Sequence, residues 1–541
     1  MTDLEFLQQK DWQTFFSKSL PTTPWLTVYE SRKDEKDDIV IFSGLVPVDN
    51  IPKILESESW DISIGEGGPG FVTYFNNGDE ITEYHRNLNN YQIEPIVIFR
   101  KFYGIKDSYL EIQEEFRLFH NLYADYKRNV LVKVHDDGSE EDVVIIHAKK
   151  VKVKTKLILQ YMAARQLGLT IYFDSFRYSK KEYSKDEYSK FSTKKNEKDI
   201  SYFVHIAPWD SILEDENKSI SRLLGKRIIF PPSVDKSGIW PFEKRKKVFE
   251  EFIIGIDEEG ENIYYTCNPD KLANYFGANP DTPHYLTPVF FKKEVLSKYY
   301  NNPQKYSVED GYLRCGGLWG ICIDNDHPDV VMVFLGDLGR DLSHTEQLYW
   351  KSYNIPPEKK ISSTCFKRSF LAEFTAPCSE DLTFKSKFIQ FSKKWEEKFG
   401  WPLFLPLNAK DSHLFTSLRI PVTDDHSEFD SQILAIAKIL IDSLNEKELV
   451  KATRVDIKNL PGLAKFEHFL RDKSFDDYSN HIEFLRDLYA LRSSGVGHRK
   501  GKKFEKVAAR FELDKKALKD VFVFILTRAK EMLDDLERHF L

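Results

Sequence analysis

Two residues near the C-terminus, Arg492 and His498, have the types and spacing that acid–base chemistry on a phosphate would need. Five residues separate them, and Gly495 and Gly497 lie in that interval, so a straight helix is not expected to continue through it. The chain can therefore bend and bring both side chains to one opening. Positive charge follows the histidine at Arg499, Lys500, Lys502 and Lys503, which suits a polyanionic substrate and predicts RNA contacts at these four residues.

A histidine and an arginine suffice for one kind of phosphodiester cleavage. RNA carries its own nucleophile, the 2′-hydroxyl, which DNA lacks. A histidine can remove the hydroxyl proton, and an arginine can stabilise the charge that develops on the pentacoordinate phosphorus. The pair thus predicts transphosphorylation with no metal ion and no cofactor, which leaves a 2′,3′-cyclic phosphate and a 5′-hydroxyl.

Arg492 ends a predicted helix over residues 480–492, and its position on that helix is unusual. Six apolar side chains fall on one arc of the helix: Ile482, Phe484, Leu485, Leu488, Tyr489 and Leu491. Arg492 lies near the middle of this arc, away from Glu483 and Asp487. Because a guanidinium is always charged and is costly to bury unpaired, we expect Arg492 to have a partner or a task. The alternative is that it reaches out from the final turn and binds helix C-terminal carbonyls.

The residues around this helix predict an all-α, up-down bundle over residues 425–541. One apolar stripe comprises Phe429, Ile433, Ile436, Leu440 and Leu444. A second helix is predicted to start at Pro461, and the last is predicted from Asp514 to His539. Short connections between long amphipathic helices are typical of such bundles.

A terminal helical bundle with an R-x(4–6)-H motif at the end of an internal helix resembles the HEPN superfamily. The matching residues are Arg492 and His498, and the resemblance covers about residues 425–541. Where this family usually has Asn, Asp or His directly after the arginine, the chain has Ser493, which can still donate a hydrogen bond. By analogy with family members in which an acidic residue orients the pair, Asp487 or Glu483 would have that role here.

The resemblance also implies partners and a biological setting. HEPN ribonucleases typically dimerise with their motifs facing one cleft, which implies a homodimer or a higher homo-oligomer here. A large N-terminal α/β region before a terminal HEPN unit resembles ApeA-like proteins of bacterial antiviral, abortive-infection and toxin systems. In such proteins the upstream region is thought to sense infection, so a phage-derived trigger is implied.

Composition is that of a multidomain globular protein. The net charge of −7 argues against a dedicated nucleic-acid coat protein but leaves room for a local basic site. The five cysteines form no CxxC pair, which favours free thiols in a reducing compartment. Neither a signal peptide nor an apolar run of about 20 residues is evident, so we expect a cytoplasmic protein without membrane contact.

Residues upstream of the bundle predict an α+β multidomain chain, with an N-terminal α/β domain at 1–199 and a middle α/β domain at 200–424, both as sensor or regulatory regions. A helix is predicted over Tyr109–Tyr123. The basic run Lys149–Lys154 alternates with valines, which favours a half-exposed strand and, as the sharper alternative, a phosphate-contacting ribbon. The Tyr-Ser-Lys triplets at 178, 183 and 188 favour a mobile loop; stacking on single-stranded nucleic acid is the alternative.

Two further motifs resemble ligand sites but also have structural explanations. Gly65–Gly70 matches GxGxxG, but Pro69 lies inside it and a strand is predicted to follow, so a loop or hairpin is favoured over a dinucleotide site. The acidic and histidine residues from Asp324 to Glu346 could bind a metal, although Asp, Asn and Pro are common in turns for backbone reasons. A metal-dependent hydrolase is thus the third hypothesis. The leading one is a gated HEPN-type endoribonuclease, and the second is a non-catalytic HEPN module for dimerisation or partner binding.

Overall fold

The computed structural model describes residues 2–18, 22–57, 69–86, 91–209, 216–243, 247–357, 360–495 and 502–541. The chain forms two compact units. One is Met1–His135 with Ser139–Lys246, and the other is Asp136–Gly138 with Lys247–Leu541.

The first unit is built around one large antiparallel sheet. The strands of this unit are β1 (Trp25–Arg32), β2 (Asp37–Pro47), β3 (Gly70–Asn76), β4 (Asp79–His85), β5 (Glu94–Pro95), β6 (Val97–Arg100), β7 (Tyr109–Ile112), β8 (Tyr123–Asp125), β9 (Val130–Val134), β10 (Glu140–His147), β11 (Lys150–Lys154), β12 (Leu167–Ser179), β13 (Thr193–Asn196), β14 (Ile200–Pro208) and β15 (Ser219–Ile229). Of these, β3 pairs with β4 and β6 pairs with β7 in two separate two-stranded sheets. Its helices are α1 (Asp3–Leu7), α2 (Lys10–Ser17), α3 (Ile51–Glu56), α4 (Glu114–Phe119), α5 (Thr155–Arg165) and α6 (Lys185–Phe191).

The strand order of the main sheet places the end of the first unit later in the chain than the predicted boundary at residue 199. The order is β13-β14-β15-β12-β2-β1-β11-β10-β9-β8, with β5 added beside β2. The predicted boundary at residue 199 falls between β13 and β14, which pair with each other in this sheet. Because β15 also pairs with β12 along the whole of its own length, residues 200–229 belong to the first unit. The strand predicted to follow the glycine-rich motif is confirmed as β3, while Gly65 to Gly68 lie outside the described residues.

Two local predictions in this unit are wrong. The predicted helix over Tyr109–Tyr123 is instead β7, α4 and β8, because Leu110 and Ile112 alternate with more exposed neighbours and bury their side chains in the sheet core. The predicted mobile Tyr-Ser-Lys segment contains α6, which starts with a capping box between Ser184 and Glu187. Tyr188 of this helix is buried, and its hydroxyl lies 2.8 Å from that of Ser219.

The second unit joins a β-rich part to a helical part. Its strands are β16 (Glu251–Ile256), β17 (Asn262–Thr266), β18 (Pro288–Lys292), β19 (Tyr306–Glu309), β20 (Tyr312–Cys315), β21 (Trp319–Cys322), β22 (Val330–Phe334) and β23 (Asn354–Ile355). Its helices are α7 (Ser297–Tyr300), α8 (Leu335–Asp341), α9 (His344–Lys351), α10 (Ser363–Phe370), α11 (Glu380–Phe399), α12 (His413–Thr416), α13 (His426–Ala437), α14 (Glu446–Ala452), α15 (Gly462–Asp472), α16 (Tyr478–Gly495), α17 (Lys502–Arg510) and α18 (Leu518–Phe540).

The helical part begins at α11 rather than at the predicted residue 425. Trp395 of α11 is fully buried and packs against Phe540 of α18, with ring centroids 5.3 Å apart. Lys387 of the same helix forms ion pairs with Asp534 and Glu537 of α18. The helix ends where Gly400 adopts a left-handed conformation, which glycine adopts without steric cost.

The coarse fold class is confirmed: a sheet-rich N-terminal region precedes a helical C-terminal region. The apolar stripe from Phe429 to Leu444 is buried as predicted and shares one core with α11, α16 and α18. Among the helices described, none has the length and apolar character that crossing a membrane requires.

Candidate functional site

Arg492 lies in the last turn of α16. One face of this helix packs in the core of the helical part. Leu485, Leu488 and Leu491 are at most 2% exposed, which explains why this segment forms a stable helix there. The arginine side chain is half-buried, at 19% exposure. Its position on the apolar arc is therefore confirmed: most of the side chain is covered, and it lies at the edge of the core.

The structure supplies the partner that this burial requires. Nη1 of Arg492 donates a hydrogen bond of 2.6 Å to Oδ2 of Asp442. The guanidinium carbon also lies 5.0 Å from the centre of the Tyr489 ring, which is within the range of a cation–π contact. Tyr489, which belongs to the same arc, is 45% exposed and packs against the arginine at the edge of the core.

Asp442 is placed by an irregularity in the neighbouring helix. After α13 the chain continues as one turn of π-helix, Lys438–Asp442, whose Ile439 and Leu440 are buried. A π-turn rotates the residues that follow it relative to an α-helix, and such turns are frequent at functional sites. Asp442 ends this turn with a carboxylate that is 42% exposed, so the ion pair with Arg492 lies at the surface of the core.

Described residues occupy only part of the Arg492 guanidinium. Among them, the only side-chain hydrogen bond of Arg492 is the one from Nη1 to Asp442. A guanidinium has five N–H groups in a planar fork that matches two oxygens of a phosphate. Asp442 therefore holds one edge of the group while the remaining N–H groups can bind an anion.

The other predicted helix residues do not form a cluster with Arg492. Ser493 donates its hydroxyl to the carbonyl of Ala490 at 3.2 Å, which is a local helix contact. Asp487 pairs with Arg510 of α17, and Glu483 is exposed. The acidic partner of Arg492 is thus Asp442, which was not predicted from the sequence. An acidic residue directly after the apolar run 439–441 was the available signal.

Part of the remaining predicted site lies outside the described residues. His498, Arg499 and Lys500 are outside the described residues. Lys502 and Lys503 form the first turn of α17. Among the described residues, α16 ends at Gly495, in the same turn as Arg492, and α17 is the next element.

The acidic residues of the middle region hold backbone groups of distant segments. Asp324 accepts a hydrogen bond of 2.7 Å from the backbone N–H of Ser362. Asp326 accepts from the N–H groups of Cys378 and Ser379. These are long-range contacts and differ from the local Asx contacts on which the turn interpretation rested. In the described part of the chain, ligand atoms within 4.8 Å of one another occur instead at Asp477, His481 and Asp535. A hydrogen bond of 3.1 Å between His481 Nε2 and Asp535 accounts for that contact.

A cavity of about 770 Å³ lies between α7 and α13. It contains Arg419, whose Nη2 donates to Glu428 at 2.7 Å and whose guanidinium stacks on Tyr300. The charge of this arginine is therefore neutralised within the wall, which makes the cavity less suited to a polyanion than the surface around Arg492.

Comparison with models of known families, with curated proteins and with solved structures gives no match.

Proposed function

We propose that this protein is a metal-independent endoribonuclease of the HEPN type. The observation that carries the proposal is the Arg492–Asp442 pair: a guanidinium on an apolar helix face that, among the described residues, donates only to Asp442, six residues before a histidine in a basic segment. A buried structural arginine would use more of its donors within the described core.

In the proposed reaction His498 removes the proton of a 2′-hydroxyl, and the oxygen attacks the adjacent phosphorus. Arg492 binds the non-bridging oxygens and stabilises the charge that grows on them in the transition state. The bond to the 5′-oxygen breaks, and that oxygen takes up a proton. The products are a 2′,3′-cyclic phosphate and a 5′-hydroxyl. Arg499, Lys500, Lys502 and Lys503 would bind flanking phosphates.

The proposed biological role is antiviral defence by abortive infection. Two copies would place their Arg492–His498 motifs in one cleft, and the upstream region would restrain cleavage until it meets a phage-derived trigger. RNA is the substrate and the protein acts in the cytoplasm without membrane contact. This part of the proposal rests on the resemblance to HEPN and ApeA-like proteins.

Chelation of divalent metals is expected to leave RNA cleavage unchanged. The proposed chemistry uses an imidazole and a guanidinium. EDTA in excess over all divalent ions therefore removes no ion that the reaction needs. The measurement is the initial rate of cleavage of a labelled RNA with and without EDTA. A loss of cleavage that Mg²⁺ or Mn²⁺ restores would support the metal-dependent alternative.

Asp442→Asn is expected to slow RNA cleavage about tenfold with little effect on stability. Asparagine keeps the shape but loses the charge that orients Arg492, so we assign Asp442 as a positioning residue. A pair this exposed contributes at most about 1 kcal/mol to unfolding. The measurements are kcat and KM, since a loss of orientation lowers kcat, together with the free energy of unfolding. Asp442→Glu should restore part of kcat; equal kcat for the Asn variant and the natural protein would contradict this role.

The second candidate is a non-catalytic HEPN module that dimerises and presents a sensor or binds a partner. Ser493 favours it, because its hydroxyl is occupied by the carbonyl of Ala490 instead of facing a substrate. The two candidates differ in overexpressing cells. The ribonuclease arrests growth and degrades RNA, and the Arg492→Ala/His498→Ala variant relieves both effects, whereas the binding module leaves RNA intact.

A further inference from the structure

Three side chains of the helical part converge at the end of α16 that lies farthest from Arg492. Asp477 directly precedes α16, His481 is the fourth residue of that helix, and Asp535 belongs to α18. Each offers one nitrogen or oxygen atom, and these three atoms all lie within 4.8 Å of one another. Because Asp477 and His481 are four residues apart, they occupy one face of the helix, and that face meets α18.

The packing of His481 fixes which ring nitrogen faces the carboxylates. Its side chain is only 4% exposed, and the ring stacks on Phe475 with centroids 5.8 Å apart. Nδ1 is enclosed by the core. Nε2 lies 3.1 Å from Oδ2 of Asp535 and 3.6 Å from Oδ2 of Asp477. The imidazole is therefore held in advance with Nε2 directed at both carboxylates.

The hydrogen bond between His481 and Asp535 explains only one side of this arrangement. Nε2 carries at most one hydrogen, so it can donate to Asp535 but not to Asp477 as well. Among the described residues, Asp477 otherwise has only a long contact of 3.5 Å from Nδ2 of Asn480. The second oxygen of Asp535 accepts from Arg538 at 2.8 Å. Two carboxylates thus face one nitrogen that can satisfy only one of them.

The spacing of the three atoms suits a bound metal ion. Ligand atoms about 2.0 Å from a tetrahedral Zn²⁺ lie about 3.3 Å from one another. The two distances from His481 Nε2, 3.1 Å and 3.6 Å, lie on either side of that value. Imidazole together with carboxylates is a donor set that Zn²⁺ accepts, whereas Mg²⁺ and Ca²⁺ bind mainly through oxygen.

We propose that Asp477, His481 and Asp535 bind one Zn²⁺ ion, with water as the fourth ligand. His481 binds through the lone pair of Nε2 and carries its hydrogen on Nδ1. The ion joins the start of α16 to α18 and stabilises the helical part. Arg492 is about 16.5 Å farther along α16, so the ion has no part in the proposed RNA cleavage, and either proposal can fail without the other.

The test measures Zn²⁺ binding to the full-length protein after its metal has been removed with a chelator and the chelator dialysed away. The apolar core of the helical part does not depend on the ion, so the metal-free protein is expected to stay folded. Calorimetry should show a saturable site for Zn²⁺, and the unfolding temperature should rise with Zn²⁺ concentration. The same concentrations of Mg²⁺ should give neither effect.

Asp477→Asn should weaken Zn²⁺ binding at least about tenfold and remove most of the rise in unfolding temperature, because it takes away one ligand. The Asp477 side chain is 57% exposed, so this variant is expected to fold like the natural protein when metal is absent. The matched control is Asp476→Asn, at an exposed neighbour outside the cluster, which should bind Zn²⁺ as the natural protein does. No saturable binding, equal affinity of the two variants, or an equal effect of Mg²⁺ would overturn the proposal.

Discussion

Replacing Arg492 by alanine is expected to reduce the rate of RNA cleavage at least about 100-fold, because removing one group that stabilises transition-state charge has an effect of this size. The guanidinium is the group proposed to bind the reacting phosphate, and its Nη1 donates a hydrogen bond to Asp442. The measurement is the single-turnover rate on a labelled RNA, with the unfolding temperature measured in parallel.

Two variants separate chemistry from folding. Arg492→Lys keeps the positive charge but loses the planar fork, so it should remain well below the natural rate. Arg486→Ala is the matched control on the same helix: Arg486 is exposed and pairs with Glu467 at 2.6 Å. It should cleave RNA at the natural rate. Full activity of Arg492→Ala would contradict the assignment, as would an equal loss in Arg486→Ala.

Replacing His498 by alanine is expected to reduce the rate by about 100-fold to 10,000-fold, the usual contribution of a general base. Without a base the 2′-hydroxyl keeps its proton and attacks slowly. The same single-turnover assay checks this result. The variant should still bind RNA, because the basic residues that contact flanking phosphates are unchanged.

A small base supplied in solution gives a readout that a folding defect cannot reproduce. Imidazole added to His498→Gly should restore part of the cleavage rate, and it should not restore that of Arg492→Ala. His468→Ala is the control, since His468 is on α15 in the same helical part and contacts only Arg471 at 3.3 Å in the described structure. Natural activity in His498→Ala would exclude the histidine as the base.

Regular apolar patterns predicted the helices and strands well. The predictions failed where contacts with other parts of the chain decide the structure. The start of α15 directly after Pro461 follows from this single residue, which was predicted to begin the helix. The predicted helix over Tyr109–Tyr123 failed because period-two burial at Leu110 and Ile112 was mistaken for a helical stripe. The boundary at 199 failed because strand order depends on pairing over long sequence separations, which composition does not report.

The candidate site was likewise predicted only in part. The place of Arg492 on the apolar arc followed from helical periodicity alone, and its need for a partner followed from the cost of burying charge. The identity of that partner did not, because Asp442 is 50 residues away and faces Arg492 through a π-turn. A helical wheel drawn at 100° per residue does not predict a π-turn. Asp487 was instead taken up by Arg510 of α17.

The chemistry of the RNA ends tests the central claim most directly. Purified protein would be incubated with a defined RNA in EDTA, and the ends at each cut would be identified by enzymatic end analysis and mass spectrometry. The proposal predicts 2′,3′-cyclic phosphate and 5′-hydroxyl ends, no cut at a position where the RNA carries a 2′-deoxy substitution, and no products with Arg492→Ala. Ends with a 3′-hydroxyl and a 5′-phosphate, or cleavage at the 2′-deoxy position, would contradict it.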